Sequence, residues 1–293
     1  MTRFGLSVAL TTPFDENGDI VIDMMIAQVK RSLGAGCNNC TLFGTTGEGS
    51  SIGHQERERV LSAVLDAGVA PDQIVVGVLV DSAEDAAEQA GSALDRGMRN
   101  ILLAPPSYFK NVSDEGLFRW FSRVFSLLGT KARDILVYNI PSVTMVTLSV
   151  PLVARLREAF PGIVTGVKDS GGDWDHTQAL LKDHSDLVIL IGDERHLAQG
   201  VRMGGQGAIS GVANFAPQEV AAMANEGRDD PRIVELVVSL LKHPVTPAVK
   251  AMLARELGDQ KWLAVRAPLL STSTEIQNEL GTVFDRLFRA KAA

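Results

Sequence analysis

Aromatic residues make up only 5% of this chain, and it holds two cysteines in 293 residues. Few aromatics beside 27 glycines speak against an all-β sandwich. They suit an α/β protein with many tight strand-to-helix turns. The cysteines, Cys37 and Cys40, form a lone CxxC, with no second pair and no thioredoxin-like surroundings. They are expected to be buried structural thiols. No apolar run approaches the length of a membrane span. Residues Met1 to Gly5 lack the apolar core of a secretion signal, so a cytoplasmic location is expected. Positive charge is in deficit as well, with 28 Lys and Arg against 35 Asp and Glu. The net charge of −7 argues against a nucleic-acid or anionic-membrane surface. A small anionic substrate needs only a locally positive pocket and is still allowed.

A hydrophobic content of 45% supports a sizeable core, and the length suits one large barrel or two ordinary domains. Strand-like apolar runs recur at 6–10, 40–43, 74–79, 100–104, 135–139, 163–168, 187–191 and 207–210. Helical patterns lie between them at 23–33, 54–67, 82–96, 113–128, 149–160 and 194–203, the third opening on a capping-box-like Ser82 to Asp85. The repeated alternation predicts a closed parallel (β/α)8 barrel. An open doubly wound sheet is the alternative, but no GxGxxG follows the first strand. From about Pro217 the strands stop, and helices are expected at 221–226, 232–242, 247–256, 262–267 and 274–290. A catalytic barrel domain over 1–228 and a C-terminal helical extension over 229–293 follow, with the boundary between Gly227 and Pro231.

The sixth run, apolar and β-branched from Ile163 to Val167, ends in Lys168 and then the turn residues Asp169, Ser170, Gly171, Gly172 and Asp173. Desolvation at the inner end of a buried strand disfavours the ammonium form. A neutral amine is a nucleophile for carbonyl carbon, which points to Schiff-base chemistry. The competing reading is a lysine that snorkels to solvent.

In a barrel, chemistry gathers at the carboxyl ends of the strands. Gly44-Thr45-Thr46-Gly47-Glu48-Gly49 follows the second run and lets backbone N–H groups approach a carboxylate or phosphate. Pro105-Pro106-Ser107-Tyr108 follows the fourth as a rigid loop presenting a phenol. The fifth ends in Tyr138-Asn139-Ile140-Pro141, where Tyr138 is either hydrogen-bonded core or an acid/base. The seventh ends in Gly192-Asp193-Glu194-Arg195, and the eighth in Ala208-Ile209-Ser210-Gly211, with Asn214 shortly after. Together these put Lys, Tyr, two Thr and a glycine-lined anion pocket around one rim.

Gly44-Thr45-Thr46-Gly47-Glu48, Tyr138-Asn139-Ile140-Pro141 and Gly166-Val167-Lys168-Asp169, in this order, resemble the dihydrodipicolinate synthase and N-acetylneuraminate lyase family. The resemblance covers nearly the whole chain, including Pro247-Ala248-Val249-Lys250, and implies a pyruvate-dependent class I aldolase or lyase on a (β/α)8 barrel. Lys168 then matches the Schiff-base lysine, and Tyr138 the tyrosine that shuttles protons. Thr45 and Thr46 match the pair that holds the pyruvate carboxylate and links the tyrosines. Ile209 matches a residue whose backbone contacts pyruvate, and Gly192 lies among the substrate-binding positions. Tyr108 matches a tyrosine that reaches into a neighbouring site, which implies a homo-oligomer, a tetramer built as a dimer of dimers. Neither metal nor cofactor is implied, since the imine on Lys168 is itself the electron sink.

The chain departs from the lysine-biosynthetic synthases at two places. Val143 and Met145 stand where those enzymes have an arginine, which binds the carboxylate of aspartate semialdehyde, and a glycine. An apolar Val143 cannot bind that carboxylate. Ser170 and Glu194 occupy places that grip a sugar chain in sialic-acid lyases, and Arg195 either holds a carboxylate or pairs with Asp193 or Glu194. The expected activity is therefore joining pyruvate to an aldehyde, or cleaving a hydroxy-oxo acid to pyruvate and an aldehyde. Alternatives are 4-hydroxy-tetrahydrodipicolinate synthase itself, a sugar-acid lyase or dehydratase, and a non-catalytic oxo-acid sensor. A phosphate site at Gly204-Gly205-Gln206-Gly207 is more simply a tight helix-to-strand turn.

Overall fold

Strands covered by helices outside and filled by side chains inside must be buried on both faces, and those of this protein are buried almost throughout. The computed structural model describes residues 3–289. The strands are β1 (Gly5–Ala9), β2 (Asn39–Leu42), β3 (Ile74–Val78), β4 (Asn100–Leu103), β5 (Ile135–Asn139), β6 (Val164–Asp169), β7 (Val188–Ile191) and β8 (Gly207–Ser210). They pair in parallel in chain order and close into a barrel, as expected. The open-sheet alternative is thereby excluded. Closure brings Gly207, at φ +136°, so near β1 that a Cβ there would lie 1.9 Å from the Gly5 carbonyl oxygen. Only glycine fits that approach.

The helices are α1 (Ile22–Gly34), α2 (His54–Asp66), α3 (Ala83–Asp95), α4 (Asp114–Leu128), α5 (Pro141–Thr144), α6 (Val150–Ala159), α7 (Trp174–Asp183), α8 (Glu194–Arg202), α9 (Pro217–Glu226), α10 (Pro231–Leu240), α11 (Val245–Leu257) and α12 (Thr274–Phe288). Several begin on side-chain caps. Ser82 Oγ accepts from the Asp85 N–H, Ser113 Oγ from Gly116 and Ser149 Oγ from Leu152. One core lies between the strands and the helix ring. A second fills the barrel with Phe4, Val75, Leu102, Leu136, Leu190 and Ile209. Beyond α9, α11 is buried along most of its length and packs on α12 and on the turn after β8. The chain therefore folds its last helices back toward the carboxyl ends of the strands.

Both cysteines are buried and free. Burial pushes the Cys37 thiol up to about 12 and the Cys40 thiol up further, so neither is a thiolate at neutral pH. No helix of the described residues is long and apolar enough to cross a membrane.

Two sequence expectations need correction. The pattern gave no helix between β6 and β7, yet α7 forms there; it buries Thr177 and the adjacent Leu180 and Leu181, which make no apolar repeat at helical spacing. Residues 262–267 were expected to be helical, but the chain makes only one tight turn over Gln260–Leu263. Arg266 then turns its N–H to Glu48 Oε2 at 2.8 Å, and Pro268 follows, which disfavours a continuing helix. Of the helix expected over 274–290, residue 290 lies outside the described residues.

Candidate active site

Side chains alternate faces along a strand, so every second residue of β5 and β6 points into the barrel. Tyr138 of β5 and Lys168 of β6 are register partners and share one face. Lys168 is 5% exposed and donates from Nζ to Tyr138 Oη at 3.2 Å. The same Nζ lies 4.3 Å from the centre of the tyrosine ring. Lys168 therefore stays inside, and the snorkelling alternative is excluded. Tyr138 Oη continues to Thr45 Oγ1 at 3.4 Å, which makes a short polar chain from Thr45 to the amine.

The Gly44–Gly49 loop has its own scaffold. Phe43 follows β2 in the left-handed region at φ 59°, which is costly for a bulky residue. Its carbonyl is tolerated only because glycines face it; a Cβ on Gly49 would lie 1.8 Å from that oxygen, and one on Gly77 2.4 Å. Buried Arg57 ties the carbonyls of Gly49 and Gly77 at 2.6 and 2.8 Å. Thr12 Oγ1 donates to the Gly47 carbonyl at 2.7 Å, and Thr246 Oγ1 to that of Thr45 at 3.3 Å. Behind the loop Glu48 forms a fully buried ion pair with Lys250 of α11. The N–H groups of Thr45 and Thr46 find no hydrogen-bond acceptor among the described residues.

Around these residues lies a cavity of about 280 Å³. Its lining includes Thr45, Thr46, Tyr138, Lys168, Ser170, Gly192, Glu194 and Ile209, so eight positions picked from the sequence meet in one place. A Cβ on Gly192 would lie 2.0 Å from Ser170 Oγ, so glycine there keeps that hydroxyl in position. Glu194, at the start of α8, accepts from Ser210 Oγ at 2.6 Å. Burial pushes its carboxyl above the ordinary range, and the Ser210 hydrogen bond and the Lys168 charge offset this only in part. Arg195 lines the cavity, clasped to Asp193 by a two-pronged pair at 3.0 and 2.6 Å. Of the possibilities open from sequence, Arg195 takes the Asp193 pair.

Tyr108 is not brought to this cavity. It sits on the loop between β4 and α4, 77% exposed, with its ring edge-on to the exposed Phe109 at 5.3 Å. The Gly204–Gly207 segment enters β8 from the opposite end of the barrel, away from the cavity.

Sequence reasoning missed two groups of residues. One is a buried network behind the rim. Asp169 accepts from Asn139 Nδ2 at 2.8 Å and Thr177 Oγ1 at 2.6 Å and pairs with His176 Nδ1 at 3.3 Å. Since Asn139 follows Tyr138 and Asp169 follows Lys168, the network fixes the outward face of the same two strand ends. The adjacency to Lys168 was a signal that could have found it. The other is the wall contributed by α10 and α11, including Val237, Leu240, Leu241, Val245 and Val249. Helix periodicity shows that Val237, Leu240 and Val249 are buried, not what they are buried against.

A family model described as the dihydrodipicolinate synthetase family matches residues 3–286. A relative from Hyphomonas neptunium, 4-hydroxy-tetrahydrodipicolinate synthase, is 35% identical over 218 residues, which is 73% of this chain and 72% of that one. An uncharacterised DapA-like lyase of Chloroflexus aurantiacus is 28% identical over 291 residues, 97% of this chain and 96% of the other. Among solved structures, a dihydrodipicolinate synthase from Agrobacterium tumefaciens C58 superposes with a TM-score of 0.97 at 66% identity, over 98% of this chain and 100% of that one.

Proposed function

Because this chain belongs to the dihydrodipicolinate synthetase family and is a lyase of that family, we propose that Lys168 forms an imine with pyruvate and that the enzyme makes or breaks a carbon–carbon bond at the pyruvate methyl carbon. The observation that carries the reading is the buried Lys168 amine, lining the cavity 3.2 Å from the Tyr138 hydroxyl.

The neutral amine adds to the ketone carbon, giving a carbinolamine. Tyr138 carries a proton to the leaving hydroxyl, and water departs. The resulting iminium withdraws electrons, so a methyl proton passes back to the Tyr138 oxygen and an enamine forms. The enamine carbon attacks an aldehyde carbon, and the aldehyde oxygen takes a proton from Tyr138. Water then hydrolyses the imine, which releases the product and frees Lys168. Cleavage runs the same steps backwards. Thr45 and Thr46 supply two N–H donors without protein acceptors and two hydroxyls for the pyruvate carboxylate. Ile209 and Gly192 flank it, and Ser170 and Glu194 face the incoming aldehyde side. The chemistry asks for no metal or cofactor.

Exposed Tyr108 and Phe109, on a loop that Lys110 Nζ ties to the Thr144 carbonyl, with exposed Val143 and Met145 beside that residue in the chain, offer an apolar surface to a second copy of the chain. A homo-oligomer, tetrameric as in the family resemblance, would carry Tyr108 into a neighbouring site. The helices after residue 228 act as an extension of the barrel, because α10 and α11 complete the wall of its cavity. A cytoplasmic location fits the same reading.

A dehydratase would use the same lysine but expel water from a bound hydroxy-oxo acid, with Glu194 as the acid, since burial raises its carboxyl above the ordinary range. Release of pyruvate distinguishes cleavage from dehydration. The experiment for the imine is incubation with pyruvate and borohydride followed by peptide mass analysis. A reduced pyruvate adduct on Lys168, absent in Lys168→Ala, is expected. A folded wild-type protein that gives no adduct sinks the mechanism.

A further inference from the structure

The two sides of the cavity differ in chemistry. The strand ends and the loops after them contribute the amine and the hydroxyls, and the start of α8 contributes Glu194. The opposite side, built by α10, α11 and the turn after β8, is almost wholly aliphatic. Val212, Val237, Leu240 and Val249 are buried in it, while Leu241 and Val245 keep 49% and 43% of their surface exposed. Val143, 57% exposed, extends this apolar surface from α5. Exposed aliphatic side chains lining a reaction cavity gain by being covered with apolar surface.

Charge leads to the same place. Four ionisable residues line the cavity: Lys168, Asp193, Glu194 and Arg195. Lys168 is the nucleophile. Asp193 and Arg195 satisfy each other through a two-pronged pair. Glu194 is buried and already takes the Ser210 hydrogen bond, and burial raises its carboxyl above the ordinary range. A substrate carboxylate beyond the pyruvate unit would have to pull Arg195 from Asp193. A polyhydroxylated chain laid on the α10–α11 side would lose water without gaining partners, because Thr246 Oγ1 there is already given to the Thr45 carbonyl. Ser170 and Glu194 lie on the strand-end side, where they can serve one oxygen next to the bond being made.

We propose that the partner of the pyruvate unit is an aldehyde with an uncharged, largely apolar body, aliphatic or aromatic, seated against Val212, Val237, Leu240, Leu241, Val245 and Val249, with its oxygen toward Glu194. This rests on the Schiff-base reading above and names the substrate class of the same site. The bond formed joins the enamine carbon to the aldehyde carbon, and the former carbonyl oxygen takes up one proton to become the new hydroxyl.

The test has two arms on the full chain. Borohydride trapping with pyruvate comes first and checks the imine alone. Condensation of pyruvate with benzaldehyde, isobutyraldehyde, glyceraldehyde and succinic semialdehyde is then followed by mass detection of the hydroxy-oxo acid. The expected result is a Lys168 adduct and a kcat/KM for benzaldehyde or isobutyraldehyde about tenfold or more above that for the other two. Leu241→Asp should lower that preference about tenfold, with Val245→Asp as a second variant should the first not fold. An adduct combined with equal or better use of glyceraldehyde or succinic semialdehyde, or with no use of the apolar aldehydes, overturns the proposal and leaves the imine standing. No adduct overturns the imine, and the substrate class falls with it.

Discussion

Tyr138 and Lys168 are register partners on neighbouring strands, and their functional atoms lie 3.2 Å apart. The contact is built into the sheet hydrogen bonding, so neither side chain depends on a mobile loop for its position. In addition, the tyrosine ring packs beside the lysine end, with the amine 4.3 Å from its centre. Removing only the hydroxyl thus separates proton transfer from packing. Tyr138→Phe should fold normally and slow turnover by about 10²–10⁴-fold. Trapping of the pyruvate adduct should be slowed too, but not abolished. Turnover within a few-fold of wild type would show that the proton travels by another route.

Lys250 and Glu48 should behave as one unit. The pair is buried on both sides, and Glu48 Oε2 also accepts the Arg266 N–H at 2.8 Å. Lys250→Met leaves a buried carboxylate without its partner and should cost about 3–5 kcal/mol. Glu48→Gln added to it should recover much of the loss, because the uncompensated charge is gone. Denaturant unfolding of the two single variants and the double completes the cycle. Additive losses would mean that the two residues are not coupled.

Much of this molecule could be read from its sequence, and what could not has physical causes. Each β-strand repeats an apolar run bounded by turn residues, so all eight were located to within a residue or two. The rim residues stood out because Lys168, Tyr138 and the Gly44–Gly49 loop put chemistry where a strand should simply end. Helix α7 was hidden because its buried residues are a threonine and the adjacent Leu180 and Leu181, which make no apolar repeat at helical spacing. The α10–α11 wall was hidden for another reason. Val237, Leu240 and Val249 follow the ordinary pattern of a packed helix, and only the tertiary fold decides that a cavity lies in front of them. Tyr108 shows a further limit, since its sequence context marks it as unusual while its place in a single chain is on the surface.

The Asp169–His176 pair gives stability a defined pH dependence. The hydrogen bond to Asp169 lifts His176 above its ordinary 6.5. Burial pushes the Asp169 carboxyl up, but hydrogen bonds from His176, Thr177 and Asn139 outweigh that and hold it below its ordinary 3.8. A raised histidine stabilises fully below its unfolded value and loses this as pH rises through the folded value. A depressed aspartate stabilises above its unfolded value and loses this as pH falls through the folded one. The pair therefore contributes most between roughly pH 4 and pH 6.5. His176→Gln should cost about 1–2 kcal/mol near pH 5.5 and less near pH 8.5. Urea unfolding at both pH values measures it. Equal losses would mean that His176 stays neutral in the folded protein.

Val143 and Met145 allow the substrate preference to be tested by gain rather than loss. Val143 lines the cavity yet is mostly solvent-exposed, so a longer side chain can enter without disturbing the core. Met145 caps α5 in the left-handed region at φ 57°. This explains why a glycine suits that place in the synthases that the chain resembles, and why methionine there is strained. Val143→Arg together with Met145→Gly supplies a cation at the cavity edge and relaxes the turn that carries it. A charge-assisted hydrogen bond to the carboxylate of aspartate semialdehyde is worth about 1.5–3 kcal/mol, or roughly ten- to a hundredfold in kcat/KM. The gain should appear in condensation with pyruvate, and use of isobutyraldehyde should fall, because the apolar edge is broken. A variant that folds, still forms the pyruvate adduct and gains nothing with aspartate semialdehyde would place the specificity block deeper, at the aliphatic wall of α10 and α11.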